Sequence, residues 1–122
     1  MTGANYEREL KTLLESDGWY VVRSAGSLAV DLVALDPENG HTLLLEVKSF
    51  TGNAYYTSRR KQTKEQHVEM CKLQKKFNGH VSVFYVLRKK GQKEFRFVHP
   101  SKLVKPYHWN QEEGDDRQIR ST

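Results

Sequence analysis

Apolar residues recur along this chain in two rhythms. Over residues 3–17 they fall at Tyr6, Leu10, Leu13 and Leu14, the three-and-four spacing of an amphipathic helix. Gly18 follows as the left-handed cap that stops it. The rhythm then shortens. Residues 19–24, centred on Val21 and Val22, read as a first strand. Residues 29–36 read as a second, apolar but for one mid-strand acid, Asp31. Residues 43–50 read as a third, a continuous apolar run broken only by Glu46 and Lys48. Helical spacing returns over residues 61–77, with Gln62, Gln66, Met70, Leu73 and Phe77 on one face and Asn78-Gly79 as the stop. Residues 81–87, apolar on both faces, form a central strand, and residues 94–99, with Phe95 and Phe97 inward, form the last. From Pro100 onward the chain is expected to be extended and polar, and disordered over residues 112–122. This order predicts an α/β domain over residues 1–105, a central mixed five-stranded sheet flanked by helices, and a polar, partly disordered tail over residues 106–122.

Between the second and third strands stands Pro37-Glu38-Asn39-Gly40, strong turn chemistry. A hairpin that pairs Asp36 with His41 counts symmetrically outward: Asp31 lies five residues before Asp36, and Glu46 five after His41. The two acids then stand directly opposite, with Cβ atoms about 4.5–5.5 Å apart. Glu46 and Lys48, two apart, share one face of their strand. Facing like charges destabilise a sheet unless something positive sits between them. A divalent cation suits the place, because Mg²⁺ takes hard oxygens from one or two carboxylates and keeps its waters. The plainer alternative is a buried salt-bridge cluster of Asp31, Glu46 and Lys48.

Composition narrows the classes. A length of 122 residues suggests one domain with a modest core, and 37% hydrophobic with 29% charged residues is polar enough that dimerisation is a route to a larger core. A net charge of +5 suits an anionic partner such as nucleic acid, the bland alternative being a soluble basic protein. One cysteine, Cys71, leaves no intrachain disulfide framework, and the five histidines show no zinc-like spacing. No apolar run approaches the roughly 18–20 residues that span a bilayer, and the start of the chain lacks a basic-then-apolar leader pattern. A reducing compartment, the cytoplasm, is expected, with no membrane partner.

Several polar residues sit where chemistry or plain structure can use them. Glu7 borders the apolar stripe of the first helix, either as an acid near the positive end of the helix dipole or as a third carboxylate aimed at Asp31 and Glu46. The small polar loop Ser24-Ala25-Gly26-Ser27 allows close approach to a phosphate, without the spacing of a Walker loop. Residues 51–61 are polar, basic and aromatic, including Tyr55, Arg59, Arg60 and Lys61, and leave from the Lys48 end of the third strand; they suit phosphate neutralisation or a solvated connection. Gln66, amid an apolar face, needs a partner: backbone, or a water or phosphate near the site. Val68 and Cys71 lie on a flank of the second helix that suits a subunit contact.

Taken together, Glu7-Arg8-Glu9-Leu10, Val21-Val22-Arg23-Ser24-Ala25-Gly26-Ser27, Asp31-Leu32-Val33-Ala34 and Leu45-Glu46-Val47-Lys48-Ser49 resemble archaeal-type Holliday-junction resolvases of the PD-(D/E)xK nuclease superfamily. Gln66 and the Phe77-Asn78-Gly79 helix end look similar too, and the likeness covers roughly residues 3–98. Val30 stands where the superfamily's name has proline, Leu28-Ala29 replaces a more glycine-rich loop, and Leu73 stands where an aromatic is common. The resemblance implies a restriction-endonuclease-like core, a symmetric homodimer, and Mg²⁺-dependent cleavage of four-way DNA junctions, with Mn²⁺ as a substitute metal. It implies an active site of Glu7, Asp31, Glu46 and Lys48, with the three acids on metal and Ser27 in a loop near the scissile strand. Arg8 and Arg23 would hold phosphates, joined at the DNA by Ser27, Tyr55, Arg59, Arg60, Lys61 and Gln66. A cytoplasmic, nucleoid-associated protein of an archaeal cell or of one hosting a virus or phage is implied. The competing readings are another nuclease on this fold, of repair or restriction type, and a non-catalytic junction-binding module.

Overall fold

A computed structural model describes residues 3–24, 30–77, 79–112 and 118–120. The first helix, α1 (Gly3–Ser16), buries Tyr6, Leu10 and Leu14, one residue per turn. It ends in a Schellman turn: Trp19 N–H donates to Leu14 O at 3.0 Å and Gly18 N–H to Glu15 O at 3.1 Å. The turn requires a positive φ at Gly18, observed at 93°. The chain then builds β1 (Tyr20–Arg23), β2 (Leu32–Leu35) and β3 (Thr42–Phe50) as an antiparallel meander. A short strand β4 (Ala54–Tyr55) leads into α2 (Lys61–Lys76), whose crossover lays β5 (Val81–Lys89) parallel to β3. The strand β6 (Glu94–Val98) returns antiparallel to β5. The expected mixed five-stranded sheet is thus present, in the order β1-β2-β3-β5-β6, flanked by helices. A short sixth strand, β8 (Gln118–Arg120), pairs with β6 at the edge.

The sheet has a core on each face. Alternation along β3 sends Leu43, Leu45 and Val47 beneath α1, with Phe84, Val86, Phe95 and Phe97 of the neighbouring strands. It sends Leu44 and Phe50 to the other face, where α2 contributes Met70 and Leu73, with Val83, Tyr85 and Leu87 of β5. Glu46 and Lys48 belong to this second face by the same alternation. Arg88, buried at the end of β5, pairs with Glu9 of α1 at 3.2 Å and lies over the Tyr6 and Phe95 rings. This ties the first turns of α1 to the sheet. No helix among the described residues is long and apolar enough to cross a membrane.

The C-terminal segment differs from the extended, polar stretch expected from Pro100. Residues Pro100–Val104 form a 3₁₀ turn, and β7 (Tyr107–His108) pairs with β4. Leu103, Tyr107 and Trp109 are buried in the second core. The physical reason is long-range. Arg96 lies over the Trp109 ring at 3.7 Å and donates to the carbonyls of Trp109, at 2.6 Å, and Glu112, at 2.8 Å. Charge-assisted bonds to two carbonyls and a cation–π contact hold the segment that local pattern leaves unassigned.

Trp109 is 4% exposed and packs against Phe50 at 5.8 Å between ring centroids. Trp109→Ala is expected to cost about 3–5 kcal/mol, a large part of a small domain's stability. Denaturant unfolding measures it, and a loss below about 1 kcal/mol would show that the C-terminal segment is not part of the core.

Candidate active site

The β2–β3 hairpin sets the site. Its register pairs Leu35 with Thr42 and Leu32 with Leu45, and Asp36 N–H donates to His41 O at 2.8 Å, so Asp31 follows one step past the last pair. There Asp31 straddles Glu46. Its N–H donates to the Leu45 carbonyl at 2.9 Å, and its Oδ2 accepts the Val47 N–H at 2.9 Å. Glu46 is 5% exposed. One of its oxygens, Oε2, accepts from Gln66 Nε2 of α2 at 2.5 Å and faces Lys48 Nζ at 3.4 Å. Gln66, whose partner the helical spacing left open, therefore holds Glu46.

Burial is the main force raising the Glu46 carboxyl, to about 7; the Asp31 charge adds to it, while Lys48 and the Gln66 amide pull the other way. Asp31 is also raised, first by burial and further by the negative charge of Glu7, against the Val47 N–H that favours its charged form. Each carboxyl also disfavours charge on its neighbour, and a divalent cation on the pair would offset both. The donor set fits one: two hard carboxylates on one face, with an amide and an ammonium on the flank. Among the described residues no group of three or more His, Cys, Asp or Glu is placed to hold a metal. Asp31 and Glu46 are the residues that would hold a cation here, the rest of its shell being left to water or phosphate oxygens, as Mg²⁺ commonly allows.

The remaining expected residues are dispersed. Glu7 comes from α1, layered on the opposite face of the sheet, and accepts from Arg23 at 3.1 Å. It acts on Asp31 through its charge and does not form a third corner of the carboxylate cluster. Arg8 is exposed on α1. Ser27 lies outside the described residues. Tyr55, expected at a DNA surface, is 8% exposed because β4 pairs with β7, and its ring packs between Phe50 and Tyr85 in the second core. Arg59 and Arg60 are exposed just before α2, and Lys61 is exposed at its first residue. Two contributors had no signal in the sequence: the Val47 backbone, which positions Asp31, and Lys90, which the parallel β3–β5 pairing sets beside Phe50.

A mixed sheet carrying an acid at the end of one strand and a glutamate and lysine two apart on the next is the restriction-endonuclease-like arrangement. Comparison with known proteins makes this specific. The family model described as archaeal Holliday junction resolvase (Hjc) matches residues 1–112, and the chain belongs to that family. It is similar to the crossover junction endodeoxyribonuclease Hjc of Methanocaldococcus jannaschii, 44% identical over 57 residues. That match covers 47% of this chain and 41% of the relative, so the chain spans about two fifths of the length of the curated relative it matches. Its fold is similar to the structure of Archaeoglobus fulgidus Hjc, a Holliday junction resolvase from an archaeal hyperthermophile. The TM-score is 0.56 at 22% identity, over 97% of this chain and 83% of that one.

The raised Glu46 carboxyl makes a prediction for the metal-free protein. The folded chain keeps a proton that an ordinary glutamate, near 4.5, gives up on unfolding, so the folded state holds more protons between 4.5 and about 7. Stability is expected to fall as pH rises through that window and to level above it. Glu46→Gln should flatten the slope, and Mg²⁺ at pH 7.5 should stabilise the wild type but not the variant. Thermal melts against pH in a chelator, then in Mg²⁺, read both effects; identical profiles for the two proteins would remove Glu46 as the titrating group.

Proposed function

We propose that this chain is a divalent-metal-dependent endonuclease that cuts four-way DNA junctions by paired symmetric nicks, acting as a homodimer. The observation that carries the reading is the Asp31–Glu46 pair, Glu46 buried and Asp31 half-buried opposite it, with Lys48 at 3.4 Å from Glu46. Such a pair is costly as a structural device and apt as a metal and phosphate site. Nucleases of this kind generally use divalent metal ions; Mg²⁺ is the proposed one, with Mn²⁺ able to substitute. Bound between the carboxylates, it would polarise the phosphate, activate water and stabilise the leaving oxygen.

The chain's own residues do the rest. Asp31 and Glu46 hold the cation. The Val47 N–H and the Gln66 amide fix the carboxylates so that little reorganisation accompanies reaction. The Lys48 ammonium faces the phosphate, orienting the attacking water and offsetting the charge that builds on the phosphoryl oxygens. Glu7 tunes Asp31 from the rim and anchors Arg23, which with Arg8 meets flanking phosphates.

One centre per chain makes one nick, and a two-fold junction needs two, which a C2 dimer supplies. Apolar side chains support a contact between copies: Tyr20 at 62% exposure and Val22 at 45% on β1, and Val68 at 52% on α2. The proposed setting is the cytoplasm, at the chromosome.

An immobile synthetic junction, labelled on each strand in turn, tests the reading in Mg²⁺ beside a linear duplex. Paired nicks near the crossover are expected. Asp31→Asn and Lys48→Ala should lose at least about 10²–10³-fold in nicking rate and keep junction binding. Equal rates on junction and linear duplex would indicate another kind of nuclease on this fold. Tight binding without nicking in either metal would indicate a non-catalytic junction binder.

A further inference from the structure

Beyond Lys48, β3 runs into a cleft of about 420 Å³ that the carboxylate pair does not line. Four cations border it, Lys48, Arg59, Arg60 and Lys90, and Thr51 and Thr63 also line it. No carboxylate lines it. Elsewhere in the described structure Arg23, Arg88 and Arg96 each pair with a glutamate. Here Arg60 and Lys90 have no ion pair among the described residues, and Arg59 lies flat over the Tyr56 ring at 3.7 Å, which orients its guanidinium without neutralising it. Cations gathered around one cleft without carboxylates give it a positive potential that attracts an anion.

The arrangement is built from three separate elements. Lys90 belongs to the β5–β6 hairpin and is set by its N–H donating to Phe50 O at 2.9 Å. Lys89 Nζ donates to Asn53 Oδ1 at 2.6 Å and pins the β3–β4 loop against that hairpin. Arg60 is the N-cap of α2 and makes no side-chain cap bond, so the first N–H groups of the helix add to the positive field.

We propose that this cleft seats a backbone phosphate of the cleaved DNA strand next to the scissile one, with Arg59, Arg60 and Lys90 neutralising it and Thr51 and Thr63 donating to its oxygens. The inference rests on the nuclease reading and deepens it. Lys48 borders both the cleft and the carboxylate pair, so a phosphate seated here fixes which phosphate of the strand lies over Asp31 and Glu46. Arg60 and Lys90 are positioning residues, acting through the strand they hold.

The test uses the full chain, an immobile four-way junction, and the variants Arg60→Ala, Lys90→Ala and their double. Both side chains are exposed, and unchanged thermal melts check folding; Arg60→Gln and Lys90→Gln serve where a melt shifts. Junction affinity measured across a salt series should lose about one unit of log–log slope per cation removed. A single methylphosphonate, walked along the strand, removes one phosphate charge at a time. At one position beside the scissile phosphate it should weaken wild-type binding and leave the double variant no weaker. A wild-type salt slope in the double variant, or equal sensitivity of both proteins at every position, overturns the proposal. The two readings fail separately: a wild type that binds junctions and nicks none rejects the nuclease reading, while the salt and methylphosphonate arms still report on the cleft.

Discussion

Two carboxyl groups forced together inside a sheet are the constraint around which this structure is arranged. Asp31 and Glu46 repel, and burial penalises the charge on each. A slip of one residue between β2 and β3 would relieve the contact, but it would turn every apolar residue of one strand to the wrong face. The hairpin register therefore holds the acids in place against their own repulsion. What offsets it locally is a short set of donors: the Val47 N–H on Asp31, and the Gln66 amide and Lys48 on Glu46.

The two faces of the sheet divide the work. Beneath α1 the packing is almost wholly apolar, with Leu10, Leu14, Leu43 and Leu45 inaccessible to solvent. That side contributes the hydrophobic stabilisation, on the order of 1.5–3 kcal/mol for each large side chain buried. The α2 face can then carry Glu46 and Lys48 at a tolerable cost. It is closed at its far end by Leu103, Tyr107 and Trp109, held down by Arg96. Charged side chains deep in the domain, Arg88 and Arg96, are each matched to a glutamate and to aromatic rings. Those pairs anchor elements to one another, a role distinct from the cations left unpaired around the cleft.

Much of this was legible in the sequence because it is local. The hairpin register follows from one turn and a symmetric count, and both helices follow from apolar spacing with a glycine stop. The two strands flanking the α2 crossover announce themselves by apolar runs too long for one face. The unread parts depend on partners distant in sequence. Tyr107 and Trp109 are isolated aromatics in a polar stretch, with no periodicity until Arg96 is placed beside them. Tyr55 looked like one of a basic, aromatic loop, and only the β4–β7 pairing shows it to be core. Helical spacing marked Gln66 as a buried amide but could not name its partner, twenty positions away on β3. Lys90 has no local mark of a site residue, and its place beside β3 depends on a parallel pairing that no local signal specifies.

A nuclease that reads the shape of a junction still has to choose a bond. Sequence-reading enzymes make that choice by contacts to base edges, whereas phosphate contacts fix register without reading sequence. Phosphate contacts, on the proposed reading, come from two places, Arg23 beside Glu7 and the cleft beyond Lys48. On the proposed reading a strand held at both places has one phosphate left over Asp31 and Glu46. The choice of bond then follows from the spacing of protein cations along the strand. Fixed elements set that spacing, because Lys48 stands on β3, Lys90 directly follows the adjacent strand β5, and Arg60 is the N-cap of α2. Selectivity for structure, on this account, is a property of where the phosphate-binding cations lie along the strand.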